Sequence, residues 1–259
     1  MHQSTLKRLV ISITTLTALS ALLVAPVSAI YGNSFGTSDT TNSSTHQQTT
    51  STESTTDIQR LTNVRQRGEN EITRRLNSLN ELIARINATT KLTASDKATL
   101  IAEVNAQITG LSTIKTTINS DTSFTEAKGD AQKIISNYRV YAFIFPKVQL
   151  IVAADRQQVT ETKLATLAIN LQSTINTATV AKKDTTSLQA QLNDMMAKNT
   201  TAQAISSKVE TGVLALQPKD YTTDHTILKA YRDQLKTAHT DIMTAAFDAK
   251  SIVSALKDL

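Results

Sequence analysis

Residues 228–259 read, in groups of seven, LKAYRDQ LKTAHTD IMTAAFD AKSIVSA LKDL. Leu228, Leu235, Ile242, Ala249 and Leu256 open the groups, and Tyr231, Ala238, Ala245, Ile252 and Leu259 stand three places further on. Apolar residues three and four apart share one face of an α-helix, whereas a half-buried strand would alternate. The stretch therefore predicts a long helix that buries a single seam. The alanines in that seam let a neighbouring helix approach closely.

The same rhythm extends back to Asp57. Ile58, Leu61, Ile72, Leu79, Leu82 and Ile86, widened by Leu76 and Ile83, mark a first helix whose stripe is interrupted by Arg65, Gly68 and Arg75. Thr93-Ala94-Ser95-Asp96 and Ser123-Phe124-Thr125-Glu126 each place an acid three residues after a hydroxyl, the pattern that satisfies orphan amides at a helix start. They open a second helix through Leu100, Val104, Leu111 and Ile118, and a third through Ala127, Ile134, Tyr138 and Tyr141. Pro146 is expected to end or kink the third, since proline lacks the amide and suits a helix's first turn. A fourth helix runs past Val148 to Ile175, residues 184–187 turn, and a fifth spans Leu188 to Val213 before a loop at Pro218. Six glycines and three prolines in 259 residues leave few breaks. Short connections make neighbours antiparallel, so the expected fold is all-α: an elongated up-down bundle of about six helices. It occupies residues 57–259, as one bundle or as two units meeting near residue 145.

The beginning of the chain reads differently. Lys7 and Arg8 precede an apolar stretch from Leu9 to Ala25, closed by Pro26 and Val27-Ser28-Ala29. A positive start, an apolar middle and small residues at the end make a secretory signal over 1–29, with cleavage after Ala29. The competing reading is a retained anchor, but five Ser/Thr residues make a span of this length marginal. From Gly32 to Thr56, 15 of 25 residues are Ser or Thr. Such composition cannot bury enough surface to order itself, so 30–56 is expected to be a disordered stalk. The protein is thus expected to be exported, to the cell envelope or beyond.

Composition narrows the chemistry. Without the signal, 25 basic residues face 22 acidic ones, too weak a field for nucleic acid. There is no cysteine, hence no disulfide and no thiolate site. His225 and His239 are 14 residues apart, about 21 Å along a helix, and cannot share an ion. No Gly-framed serine and no glycine-rich phosphate loop is present. Catalytic residues, cofactors and metals are accordingly expected to be absent. Arg60, Arg67 and Arg74 recur every seven residues and should line a solvated strip of the first helix.

The stretch from Tyr138 to Arg156 is apolar almost all round. It gathers four of the ten aromatics: Tyr138, Tyr141, Phe143 and Phe145, next to Pro146. It is either a buried junction or an exposed patch for a partner or a membrane surface. Pro146, Lys147 and Gln149 interrupt it, so it is not a span. Asp155 shares the stripe of Ile151 and Val159, and a buried carboxylate needs a partner. Arg139, Arg156 or a tyrosine hydroxyl could supply one, with Asp155 and Arg139 the expected pair.

This segment, with Leu-Thr-Ala-Ser-Asp-Lys at 92–97 and Tyr231-Arg232-Asp233-Gln234-Leu235, resembles exported helical, coiled-coil-like proteins predicted in candidate-phyla bacteria. The resemblance implies a secreted bundle and transfers no catalytic residue. The expected function is a non-enzymatic structural or interaction protein of the cell surface. It would present a helical rod to a protein or an envelope polymer, with self-association through its helices a further option. The alternative is a membrane-active protein inserting residues 140–154 shallowly into lipid.

Overall fold

The computed structural model describes residues 50–90 and 92–259. The signal segment 1–29 and residues 30–49 of the expected stalk lie outside the described residues. The described residues are all-helical and form a helical bundle: α1 (Thr50–Ala88), α2 (Ala94–Ser120), α3 (Phe124–Ser136), a π-helical turn (Val140–Ile144), α4 (Phe145–Val180), α5 (Thr186–Ala215), α6 (Pro218–Thr223) and α7 (Ile227–Lys257). With 36, 30 and 31 residues, α4, α5 and α7 are each about 45–54 Å long.

Helix starts follow the local chemistry. At α3 the Glu126 amide donates to Ser123 Oγ at 3.2 Å, and the Ser123 amide donates back to Glu126 Oε2 at 3.1 Å. At α2 the Asp96 amide donates to Thr93 Oγ1 at 3.1 Å, but the Asp96 carboxylate takes the Thr93 hydroxyl instead of an amide. Two boundaries differ from expectation. α1 starts at Thr50, so residues 50–56 of the expected stalk are helical. An established helix propagates into residues that could never nucleate one.

The second difference concerns the end of α3. It stops at Ser136, ten residues before Pro146 and short of Tyr138 and Tyr141. Arg139 turns the chain with a left-handed φ of 41°. The chain then re-enters helix through the π turn and continues into α4 without a break. Pro146 lies in the first turn of α4, where its missing amide costs little. The wider turn, closed by the Phe145 amide on the Val140 carbonyl, comes directly before it.

Packing divides the helices into two sets of three: α1 with α2 and α3, and α4 with α5 and α7. One apolar cluster joins them. It runs from Ile72, Leu79, Leu111 and Ile134 through Val140, Phe143, Ile144 and Ile151 to Val213 and Leu235. A second cluster, around Leu171, Leu192, Ala245 and Ile252, fills the far half of the second set. The α7 seam is buried as its spacing requires from Leu228 to Leu256, except for half-buried Tyr231, and Leu259 beyond the helix end is exposed. Close approach is set on the facing helix too. A Cβ on Gly212 would lie 2.5 Å from Tyr231 Oη, so only glycine admits that ring.

Candidate functional site

The stretch from Tyr138 to Arg156 lies at the junction of the two sets, inside the core. Phe143 is fully buried, with its ring 6.1 Å from that of Tyr221. Tyr138, Tyr141, Phe145 and Pro146 are half-buried. Tyr141 stacks at 5.8 Å on Phe145, meets Ser78 Oγ at 3.0 Å, and lies under the guanidinium groups of Arg74 and Arg75. Burial pushes the Tyr138 phenol up. Of the two readings the stretch allowed, the buried junction is the one realised, and no exposed aromatic patch forms there.

The apparent interruption Lys147 is the centre of this joint. It is 1% exposed, yet its ammonium donates to Glu103 Oε2 at 2.7 Å, to the Leu214 carbonyl at 3.1 Å and to the Leu216 carbonyl at 2.8 Å. All three of its donors are thereby used. The carbonyls belong to the C-terminal end of α5, where a cation is favoured by the helix dipole. One side chain thus ties α2, α4 and α5 together with its charge balanced.

The same three helices meet again nearby without balance. Asp96 opens α2, Asp155 sits in the third turn of α4 and Glu210 near the end of α5. One carboxylate oxygen from each lies within 4.8 Å of the others. Asp96 and Asp155 are buried and Glu210 half-buried. Each outer carboxylate is held by a neighbour: Thr93 donates its hydroxyl to Asp96, and the Gln158 amide donates to Glu210. Asp155 Oδ2 is shielded from solvent and has no hydrogen-bond partner among the described residues. Burial first, then the charges of Glu210 and Asp96, push the Asp155 carboxyl up to about 7. The expected pair of Asp155 with Arg139 does not form, and Arg139 Nε is also buried without a partner. Arg139 is spent on the left-handed turn that leads into α4, while Asp155 faces α2 and α5.

The chain matches no family model, no curated protein and no solved structure. Its chemistry has to be read from its own side chains.

One further polar layer lies deeper in the second set. The Gln157 amide donates to the Leu235 carbonyl at 2.9 Å, and Ser206 Oγ lies 2.7 Å from Glu161 Oε1 and 3.1 Å from Gln157 Oε1. Asn199 donates to the Glu161 carbonyl at 3.1 Å. Glu161 is fully buried, and burial raises its carboxyl despite the Ser206 bond. A neutral Glu161 can donate to Ser206, which then serves Gln157. This layer ties α4, α5 and α7 together, with Glu161 Oε2 and Asn199 Oδ1 left buried without a hydrogen-bond partner among the described residues.

Sequence reasoning about metals considered histidines and missed the three carboxylates. Asp96 read as a cap, and Asp155 as a buried acid awaiting a base. No spacing rule connects them, since they come from three helices across 114 positions. A usable signal was Asp155 itself, an acid on an apolar stripe with no base three or four residues to either side.

Proposed function

We propose that the chain is an exported, non-enzymatic interaction protein of the cell surface that presents long helical faces to a protein or polymer partner. The observation that carries this reading is the inward commitment of its distinctive side chains. Val140, Phe143 and Ile144 are at most 1% exposed, and Lys147, Glu161 and Ser206 are buried in joints between helices. What faces outward is mostly polar helix surface, including the exposed strip of Arg60, Arg67 and Arg74, with Ile169, Val180 and Phe247 exposed as scattered apolar residues. The two buried acids of the carboxylate cluster are sealed between helices, which weighs against hydrolysis of a bulky envelope polymer. The lipid-inserting alternative loses its motive, because residues 140–154 already supply the core. No helix among the described residues is long and apolar enough to cross a membrane.

Co-sedimentation of the full chain with native cell envelopes and with protein-free liposomes tests the proposal. Saturable binding to envelopes alone is expected, weakened when Arg60 and Arg67 are changed to Gln. Absence of envelope binding would overturn it, and equal binding to bare liposomes would replace it with the lipid reading.

A further inference from the structure

The two polar joints between α2, α4 and α5 differ in one respect. At the first, Glu103 meets a lysine. At the second, a few residues away on each helix, Asp96, Asp155 and Glu210 converge with no cation among the charges that act on Asp155. Burying like charges together is costly unless something of opposite sign joins them. Asp155 is only 4% exposed, and its Oδ2 is turned away from solvent with no partner among the described residues. A carboxylate with lone pairs free, aimed at two other carboxylates, lacks a ligand of positive charge.

From this geometry we infer that Asp96, Asp155 and Glu210 form a divalent-cation site, with calcium the best-fitting ion. The donors are all hard carboxylate oxygens, which select calcium, magnesium or manganese over softer metals. Oxygens that all lie within 4.8 Å of one another are close enough to share one ion at the calcium–oxygen distance of about 2.3–2.6 Å. Magnesium dehydrates reluctantly and is usually held by only one or two carboxylates, so three favour calcium. Thr93 and Gln158 hold the two outer carboxylates in place, as outer-shell donors do for metal ligands. Half-buried Glu210 leaves one side for ion entry and for the waters that complete calcium's six to eight ligands.

The consequence is mechanical. Asp96 belongs to the first set of helices, and Asp155 and Glu210 to the second. A bound ion would cross-link the sets beside the joint that Lys147 already makes, so that the contact would respond to external cation. This inference is independent of the interaction role proposed above.

Calorimetric titration of Ca²⁺ into the EDTA-treated full chain at pH 8, with Mg²⁺ titrated in parallel, decides the matter. One ion per chain is expected, with a Kd on the order of 10⁻⁴ M, as for extracellular calcium modules, and weaker binding of Mg²⁺. Asp155→Asn and Glu210→Gln should each weaken binding about tenfold or more, since each removes a charged ligand. Asp155→Asn also relieves repulsion, so it should melt above the wild type in EDTA, and lost binding cannot then be blamed on unfolding. No binding at tens of times the expected Kd would overturn the inference and leave a proton as the shared charge. Binding unchanged in both variants would overturn it equally, by placing the ion elsewhere.

Discussion

Replacing Lys147 with methionine keeps an unbranched stem as far as Cε and removes the ammonium beyond it. Glu103 then loses its 2.7 Å partner, and the Leu214 and Leu216 carbonyls at the end of α5 lose their donor. Breaking a buried pair by deleting one member costs about 3–5 kcal/mol, because the other charge stays behind uncompensated. The Glu103 side chain is 17% exposed and can recover some hydration, which favours the lower half of that range. A loss of about 3 kcal/mol lowers Tm by roughly 6–12 °C for a body of this size. Glu103→Gln should cost less, since Lys147 keeps two carbonyls and the α5 dipole. Urea unfolding followed by circular dichroism at 222 nm, at pH 7, would give all three stabilities, and the double variant gives the coupling between the two residues. The Lys147→Met chain unfolding within 1 kcal/mol of the wild type, against the roughly 3 kcal/mol expected for a severed buried pair, would refute the reasoning. The apolar cluster alone would then hold the joint.

Acidity should stabilise this protein over an unusual window. Asp155 ionises near 7 in the fold against 3.8 in the open chain, so the folded state holds a proton that the unfolded state releases. The contribution of this group is then fully present below about pH 4, falls as pH rises, and is lost above about 7, at most about 4 kcal/mol in all. Raised Glu161 and Asp248 act in the same direction. Thermal melts in EDTA from pH 5 to 8 should show the decline in the wild type and a shallower one in Asp155→Asn; parallel curves would contradict the assignment. Gly212→Ala puts a methyl group 2.5 Å from Tyr231 Oη and should cost about 1–3 kcal/mol by overpacking. Combining it with Tyr231→Leu should recover part of the loss in the same urea assay, and no recovery would mean the clash lies elsewhere. Ser206→Ala strips the bridge between Glu161 and Gln157 and should cost about 1–3 kcal/mol for the buried groups left unsatisfied. A neutral result would show that water replaces the hydroxyl.

The all-helical class was legible because it rests on local rules. The spacing of Leu228, Leu235, Ile242, Ala249 and Leu256 needs no knowledge of what packs against it, and all five are buried. The Ser123–Glu126 cap is likewise complete within four residues. Errors arose wherever a residue's partner lay far along the chain. Lys147 looked like an interruption because its acceptors are Glu103, 44 positions before it, and carbonyls 67 and 69 positions after it. Arg75 broke the apolar stripe of α1 partly for the same reason: it pairs locally with Glu71, but it is buried under the ring of Tyr141, 66 positions further on. Pro146 drew attention as the breaker, but the turn was made at Arg139, in a left-handed backbone region that an arginine rarely adopts and its local sequence does not announce.

These misses share a cause that bears on the site. A charged residue on a helix's apolar face reads as a flaw in isolation, and its meaning depends on the sign of what other helices bring to it. At Lys147 they brought an acid and two carbonyls, and the charge is satisfied within the chain. At Asp155 they brought two more acids, so nothing the described residues contribute can neutralise it. Equal burial at the two joints, with opposite charge balance, is why one reads as structure and the other as a place for a ligand.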